Sequence, residues 1–284
     1  MIIGIYANLK RDISGEKARQ LAAILEQEGI DFCLDIALKF LQIDAPYYPI
    51  QELSKVCDIV VTLGGDGTIL GIAEYCALNS CKIYAVNLGN LGFYTESQDA
   101  SCARLINCIK NDIPLIVDKR SFLSIYFQGK EYYALNEVVI ARGARTKLLK
   151  LDMQVNDNLV GKYMADGIII ATPSGSTAYS FSAGGPVVAP DVQALIITPL
   201  APHSLQSRSY VVSHEGKIKV AFNYDGQPAH IHIDGKEIGQ MDSKDSLIIG
   251  KSNRSVEFLR FEGYDYYDRL MDKMCKLGIN FKQG

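Results

Sequence analysis

The sequence lacks long apolar runs. Purely apolar stretches such as residues 168–171 and 194–197 are short, whereas a membrane-spanning helix needs about 20 predominantly apolar residues. It lacks a basic leader ahead of an apolar run, opening instead on the strand-like Ile2-Ile3-Gly4-Ile5-Tyr6. These absences predict no membrane association. Paired cysteines are missing too. The seven cysteines, at 33, 57, 76, 81, 102, 108 and 275, are odd in number and form no CxxC. That excludes a thiolate zinc cage and a full disulfide framework, and predicts reduced, mostly buried thiols in a cytoplasmic protein. An excess of positive charge is also missing. Lys and Arg total 29 against 32 Asp and Glu, a net charge of −3, so a general nucleic-acid binder is not expected. Anionic ligands stay open, because backbone N–H groups alone can make a site locally positive. Finally, no GxGxxG follows a strand and no GxxxxGK[ST] occurs. The triplet Gly250-Lys251-Ser252 has Asp245 where a P-loop needs its first glycine.

What is present is a chain of 284 residues with 48% hydrophobic content, ordinary for a globular protein and long enough for about two domains. The first third alternates strand and helix. Apolar runs at 2–6, 31–35, 58–63 and 82–87 read as strands. Between them lie a helix capped by Ser14 with Ala18, Leu21, Ala22 and Leu25 on one face, and another from about Ile69 to Leu78. A further helix runs from a cap at Asp99 to about Asn111. This pattern predicts a doubly wound parallel sheet. After about Lys119 the hydrophobic period becomes two, as in Leu149, Leu151, Met153 and Val155, or Ile218, Val220 and Phe222. Half-buried antiparallel strands follow, with tight hairpins at Gln128-Gly129 and Asp234-Gly235. The expected architecture is an α/β doubly wound domain over 1–118 and an all-β, sandwich-like domain over 119–263. Helical spacing returns near the end, through Leu270, Met274 and Leu277.

Three glycine-rich segments carry the chemistry. Gly64-Gly65-Asp66-Gly67-Thr68 directly follows a buried strand and precedes a helix. Ligands of open α/β sheets bind beyond the carboxyl ends of strands, and glycines with a helix N-terminus let backbone N–H groups meet a phosphate. The Asp66 carboxylate would repel that phosphate, so it fits better as a base or as the group orienting a hydroxyl nucleophile. The plain alternative is a tight turn with Asp66 as an N-cap. Asn87-Leu88-Gly89-Asn90-Leu91-Gly92-Phe93-Tyr94-Thr95 follows the next strand and belongs to the same sheet edge. Its Phe93 and Tyr94 either pack on a flat ligand ring or are core aromatics. The third segment, residues 166–186, ends a strand in a dense run of Ser, Thr and Gly, which offers many hydrogen-bonding groups to a nucleotide at low steric cost.

Together these segments resemble the NAD kinase family. The resemblance rests on residues 64–68, 87–93, Asn136-Glu137, 166–179, 198–205 and Asp234, and runs over nearly the whole chain. It implies transfer of a phosphoryl group from ATP to the 2′-hydroxyl of the adenosine ribose of NAD, and a C-terminal segment, 264–284, that returns to the first domain. It implies Asp66 as the catalytic residue, accepting or orienting the hydroxyl proton. Gly64, Gly65 and Gly67 would approach phosphates, and Thr68, Asn87, Gly92, Phe93 and Tyr94 would also contact the bound nucleotide or substrate. Asn136 and Glu137 would bond ribose hydroxyls, and Asp166 would lie at the nicotinamide end. Ser174, Thr177, Ala178, Tyr179 and Ser182 would line the dinucleotide. No protein-held metal is implied; Mg²⁺ or another divalent cation would bridge the donor phosphates. A homodimer or homotetramer is expected. Two other readings share features of the sequence: a lipid kinase, because such enzymes carry GGDGT, and a catalytically silent NAD sensor.

Some residues have bland readings. His230 and His232 share an exposed strand face, Arg142, Arg145 and Lys147 form a basic cluster suited to a solvated loop or an anion, and His203 suits a structural hydrogen bond.

Overall fold

The structure, a computed structural model, describes residues 1–89, 92–96, 101–143, 147–203, 207–222 and 228–276. Asn90, Leu91, Asp99, Arg145, Ser204, Leu205 and Leu277, all used above, lie outside the described residues. The chain divides into two compact units, residues 1–119 with 256–284, and residues 120–255.

The first unit contains β1 (Ile3–Ala7), α1 (Glu16–Gln27), β2 (Phe32–Asp35), β3 (Tyr47–Tyr48), α2 (Ile50–Val56), β4 (Ile59–Gly64), α3 (Asp66–Leu78), β5 (Lys82–Asn87) and α4 (Ser101–Lys110). Its strands form a parallel sheet in the order β5-β4-β1-β2-β3. Every residue of β4 is buried, the expected result for a parallel strand covered on both faces. Leu21, Ala22 and Leu25 of α1 join Ile5, Val61 and Val86 of the sheet in one apolar core. Two helix starts differ from the sequence expectation. Ser14 does not cap α1. Gly15 is its N-cap, in the left-handed region at φ 67°, and the Asp12 carboxylate takes the N–H groups of Lys17 and Ala18. Helix α3 begins at Asp66, three residues earlier than expected, with Gly65 as its N-cap.

The second unit contains most of β6 (Ile116–Phe127), β7 (Lys130–Ala134), β8 (Glu137–Arg142), β9 (Leu149–Val155), β10 (Asn158–Ala165), β11 (Gly167–Ala171), α5 (Tyr179–Ser182), β12 (Ala194–Leu200), β13 (Tyr210–Ser213), β14 (Ile218–Phe222), β15 (Ala229–Ile233), β16 (Lys236–Met241) and most of β17 (Ser246–Arg260). One sheet runs β13-β12-β11-β8-β15-β16; a second places β9 between β10 and β14, with β17 beyond β14. Val138, Ile140, Ile168 and Ile231 of the first sheet share a core with Leu151, Met153, Val220 and Leu247 of the second. That shared core makes the unit sandwich-like. Both expected hairpins turn on paired left-handed residues, Gln128 with Gly129 and Asp234 with Gly235, as a type I′ turn requires.

The chain then re-enters the first unit. The end of β17 pairs with β5 through Phe258 and Ile83, and the last helix is α6 (Tyr266–Lys276). Met274 of α6 is buried, and the Tyr266 ring lies 6.3 Å from that of Phe93. No described helix is long and apolar enough to cross a membrane.

Candidate active site

In the first unit, β4 and β5 pair in register up to Gly64 and Asn87, and the Leu88 N–H donates to the Gly64 carbonyl. The first two glycine-rich segments therefore leave adjacent parallel strands at the same carboxyl edge, where α/β sheets place their ligands. The Thr68 hydroxyl locks the first turn. It accepts from Asn8 Nδ2 at 3.1 Å and from the Gly65 N–H at 3.3 Å. A Cβ on Gly64 would stand 2.2 Å from that hydroxyl, whereas Cβ atoms on Gly65 and Gly67 would meet nothing within 4 Å. Gly64 thus has a local packing reason, and the open approach lies over Gly65 and Gly67.

Asp66 is the first residue of α3, and its carboxylate is held by the second segment. Oδ2 accepts from the Phe93 N–H at 3.0 Å and Oδ1 from the Tyr94 N–H at 3.1 Å. Gly92 makes this possible, since a Cβ there would stand 2.1 Å from Oδ1. The rings of Phe93 and Tyr94 are buried, and Tyr94 stacks on Phe258 at 5.2 Å. These two residues serve the carboxylate through their peptide N–H groups, with their rings in the chain's own packing. Asn87 is buried and closes its own turn, accepting from the Gly89 N–H and donating to the Gly89 carbonyl.

Behind this turn sits Arg260, fully buried on β17. Its Nη1 donates to the Tyr94 carbonyl at 2.8 Å and to Glu96 Oε1 at 3.0 Å. Its Nε and Nη2 donate to Asp118 Oδ2, each at 3.2 Å. A buried guanidinium is tolerable only with such complete pairing. Its effect is to fix the carbonyl of Tyr94, the residue whose own N–H is one of the two donors to Asp66. Sequence reading missed Arg260, because nothing local marks it. Lys273 of α6 was missed as well. Its Nζ lies 3.6 Å from Asp66 Oδ2, and its spacing of seven residues from Tyr266 was the available signal, placing both on one helix face.

Among the described residues, no group of three or more His, Cys, Asp or Glu could hold a metal ion. Asp66 is a single carboxylate already engaged by two N–H groups.

The second unit gathers Asn136, Glu137 and the hydroxyl-rich segment around Asp234. The Asp234 carboxylate, inside the β15–β16 turn, accepts the N–H groups of Leu135, Asn136 and Glu137 at 2.8, 2.9 and 3.0 Å. Burial pushes Asp234 above the usual carboxylate range, and those three donors pull it back. Glu137 is pushed up further, to about 8, by burial and then by the neighbouring Asp234, against one backbone hydrogen bond from Tyr179. Its Oε2 is buried and has no hydrogen-bond partner among the described residues. An orphaned carboxyl oxygen costs stability unless something completes it.

The segment after β11 packs on this pair. The Thr172 hydroxyl donates to the Leu135 carbonyl at 2.7 Å, and a Cβ on Gly175 would stand 2.1 Å from the Asn136 carbonyl oxygen. Several hydroxyls expected to face a nucleotide are already paired within the chain. Ser174 takes a bond from Arg120, Thr177 donates to the Ser174 carbonyl, Ser176 bonds Val188, and Ser180 bonds Thr198. Tyr179 and Ser182, three apart on α5, are exposed, and Ala178 is half-buried. Asp166 stands at the other end of the β8–β11 pair, where Gly167 faces Ala141 while Ala171 faces Glu137. Four residues at about 3.4 Å each put roughly 14 Å along the strand between those ends. Arg142 grips Asp166 through two contacts, Nε to Oδ1 at 2.6 Å and Nη2 to Oδ2 at 3.2 Å. The Arg142 side chain, half-buried, is therefore engaged by a carboxylate. His230 bonds Glu237 at 2.7 Å beside His232, and His203 is exposed, with its N–H on the Met164 carbonyl.

The sequence matches two family models, the ATP-NAD kinase N-terminal domain over residues 3–112 and the ATP-NAD kinase C-terminal domain over residues 135–261. It is 36% identical over 281 residues to an NAD kinase of Thermoanaerobacter sp. (strain X514), covering 96% of this chain and 99% of that one. It is 35% identical over 284 residues to the NAD kinase of Methanothermobacter thermautotrophicus, covering all of both chains. Among solved structures, an NAD kinase from Archaeoglobus fulgidus in complex with ATP has a TM-score of 0.77 at 27% identity, covering 97% of this chain and 99% of that one. Yeast NADH kinase complexed with NADH has a TM-score of 0.86 at 21% identity, covering 100% and 89%, and shares the fold. With both halves of the chain matched and full-length relatives above 30% identity, this protein belongs to the NAD kinase family.

Proposed function

We infer that this protein is an ATP-dependent NAD kinase in which Asp66 orients the 2′-hydroxyl of the adenosine ribose and accepts its proton. One observation carries the role of Asp66: its carboxylate, at the carboxyl edge of the parallel sheet, is aimed by two peptide N–H groups of the neighbouring glycine segment. Phosphoryl transfer asks a protein mainly for positioning and charge stabilisation. Gly65 and Gly67 leave room for phosphate oxygens beside the first turn of α3, whose free N–H groups favour anions. Glu137 Oε2 accepts a ribose hydroxyl, and Asn136 completes that contact. Tyr179, Ser182 and Ala178 supply accessible surface for the dinucleotide. Asp166, held by Arg142, marks the nicotinamide end. Ser174 and Thr177 support the segment from within. The donor enters as its divalent-cation complex, with phosphate and water as the cation's ligands.

The thiols are free in this chain, in keeping with a reducing cytoplasm. Strand β13 ends its sheet with Tyr210 and Val211 exposed, an edge suited to pairing in a homodimer or homotetramer.

Incubation with NAD, ATP and Mg²⁺ should yield NADP. Asp66→Asn should lower kcat by roughly 10²- to 10⁴-fold, the usual worth of a positioned general base, while still binding NAD. NAD binding by the wild type with no turnover on any phosphoryl donor would identify a silent sensor instead. Phosphorylation of a lipid alcohol but not of NAD would identify a lipid kinase.

A further inference from the structure

Among the described residues, the first unit presents one cation to Asp66, and the reaction described above leaves it without a task. Lys273 Nζ lies 3.6 Å from Asp66 Oδ2 and 4.0 Å from the centroid of the Phe93 ring. A charge-assisted N–H···O bond closes to about 2.7–2.9 Å, so this ion pair is a loose one. Among the described residues, Nζ has no closer polar contact. The ammonium keeps donors to offer, and its side chain and that of Asp66 are each 26% exposed. The helix beneath it is fixed. Met274 is buried, Tyr266 packs beside Phe93, and Arg269 reaches Glu96 at 4.0 Å. The flexible four-carbon stem of lysine can therefore swing while its Cα stays in place.

We propose that Lys273 is a catalytic residue of the transfer: its ammonium leaves Asp66 for the transferring phosphoryl group when the substrates are in place. The proposal rests on the reading of Asp66 given above. A hydroxyl bonded to Asp66 stands about 2.7 Å from the carboxylate, and a near-attack phosphorus about 3–3.5 Å beyond it. The phosphoryl oxygens then fall within the reach of a side chain already 3.6 Å from Oδ2. In the step itself, a bond forms between the ribose 2′-oxygen and the γ-phosphorus. The bond from that phosphorus to the β,γ-bridging oxygen breaks, and ADP leaves with the electron pair. The hydroxyl proton passes to the Asp66 carboxylate. Lys273 offsets negative charge on the γ-phosphoryl oxygens as they move. With substrates absent, the same ammonium faces the carboxylate that would otherwise repel the incoming phosphates.

The test is steady-state kinetics of the full-length enzyme with Lys273→Ala, Lys273→Arg and Asp66→Asn, alongside thermal melts. Lys273→Ala should lower kcat by roughly 10²-fold, the cost of removing one charge-stabilising donor. Its KM for NAD should stay within about threefold, because the interaction is made in the transition state. Lys273→Arg should recover part of the loss, and added methylammonium should restore Lys273→Ala activity with saturation. A Lys273→Ala enzyme with kcat within about threefold of wild type overturns the proposal. So does a loss that neither arginine nor the small amine recovers, which would mark a packing role. A fully active Asp66→Asn enzyme would instead overturn the reading on which the proposal stands, whatever Lys273→Ala does.

Discussion

At pH 7 the Glu137 carboxyl of the unliganded protein is about nine-tenths protonated, because burial beside Asp234 lifts it to about 8. Among the described residues its Oε2 is a buried oxygen without a hydrogen-bond partner. A ribose hydroxyl that donates to that oxygen stabilises the ionised form and draws the value down. Binding of NAD at pH 7 should therefore expel up to about 0.9 proton per chain, and at pH 9, where about a tenth is protonated, close to 0.1. Isothermal titration calorimetry in buffers of different ionisation enthalpy reads this directly, as the slope of observed against buffer enthalpy. Glu137→Gln should abolish the slope and weaken binding. Stability gives a second readout with a defined sign. A carboxyl whose folded value is raised from 4.5 to about 8 stabilises the fold fully below pH 4.5 and loses that contribution as pH rises through 8. Between those limits, wild-type stability relative to Glu137→Gln should fall by about 1.4 kcal/mol per pH unit. Buffer-independent binding enthalpy at pH 7, with wild-type and Glu137→Gln stabilities parallel from pH 5 to 8, would refute the assignment of Glu137 as a neutral acid that ionises on the ribose.

Gly92→Ala puts a Cβ 2.1 Å from Asp66 Oδ1. It should depress kcat about as far as Asp66→Asn while NAD affinity, measured calorimetrically, stays near wild type. Arg260→Met removes the buried guanidinium that Glu96 and Asp118 share, and should cost roughly 3–5 kcal/mol in urea unfolding at pH 7.

The sequence marked the carboxyl edge of the sheet well, because its signal there is local. Strand 58–63, the glycines after it and the following helix are contiguous, and Asp66 is conspicuous as an acid in an anion cradle. It also showed the change of period near Lys119, since alternation in strands such as β9 and β14 is written residue by residue. Contacts distant in sequence were not legible. The bond from Arg260 to Tyr94 spans 166 positions, and the three N–H groups on Asp234 come from about a hundred residues upstream. Asp234 reads locally as an ordinary turn aspartate, and only tertiary structure turns its carboxylate inward. The hydroxyl-rich segment is legible only in part. Small hydroxyls suit a nucleotide, but they also suit a tight buried turn, and Ser174, Ser176, Thr177 and Ser180 serve the turn. At Asp12 and Ser14 two capping residues compete. Asp12 prevails because its carboxylate reaches the N–H groups of both Lys17 and Ala18.

The two units use the same interaction in opposite directions. In the first, peptide N–H groups at 93 and 94 hold a carboxylate, so the backbone is the fixed part and Asp66 the group being aimed. That requires a rigid backbone, which Gly92 admits and Arg260 braces from behind. In the second, the carboxylate of Asp234 is the fixed part, and the peptides of Leu135, Asn136 and Glu137 are aimed. Asp234 itself is half-buried, with its carboxylate engaged by three peptide N–H groups, and it helps Glu137 retain its proton. A mildly acidic chain can thus receive a polyanionic donor and a dinucleotide without a basic surface. One acid is covered by N–H groups and a lysine, one is engaged by three peptide N–H groups, and one has its proton held by burial.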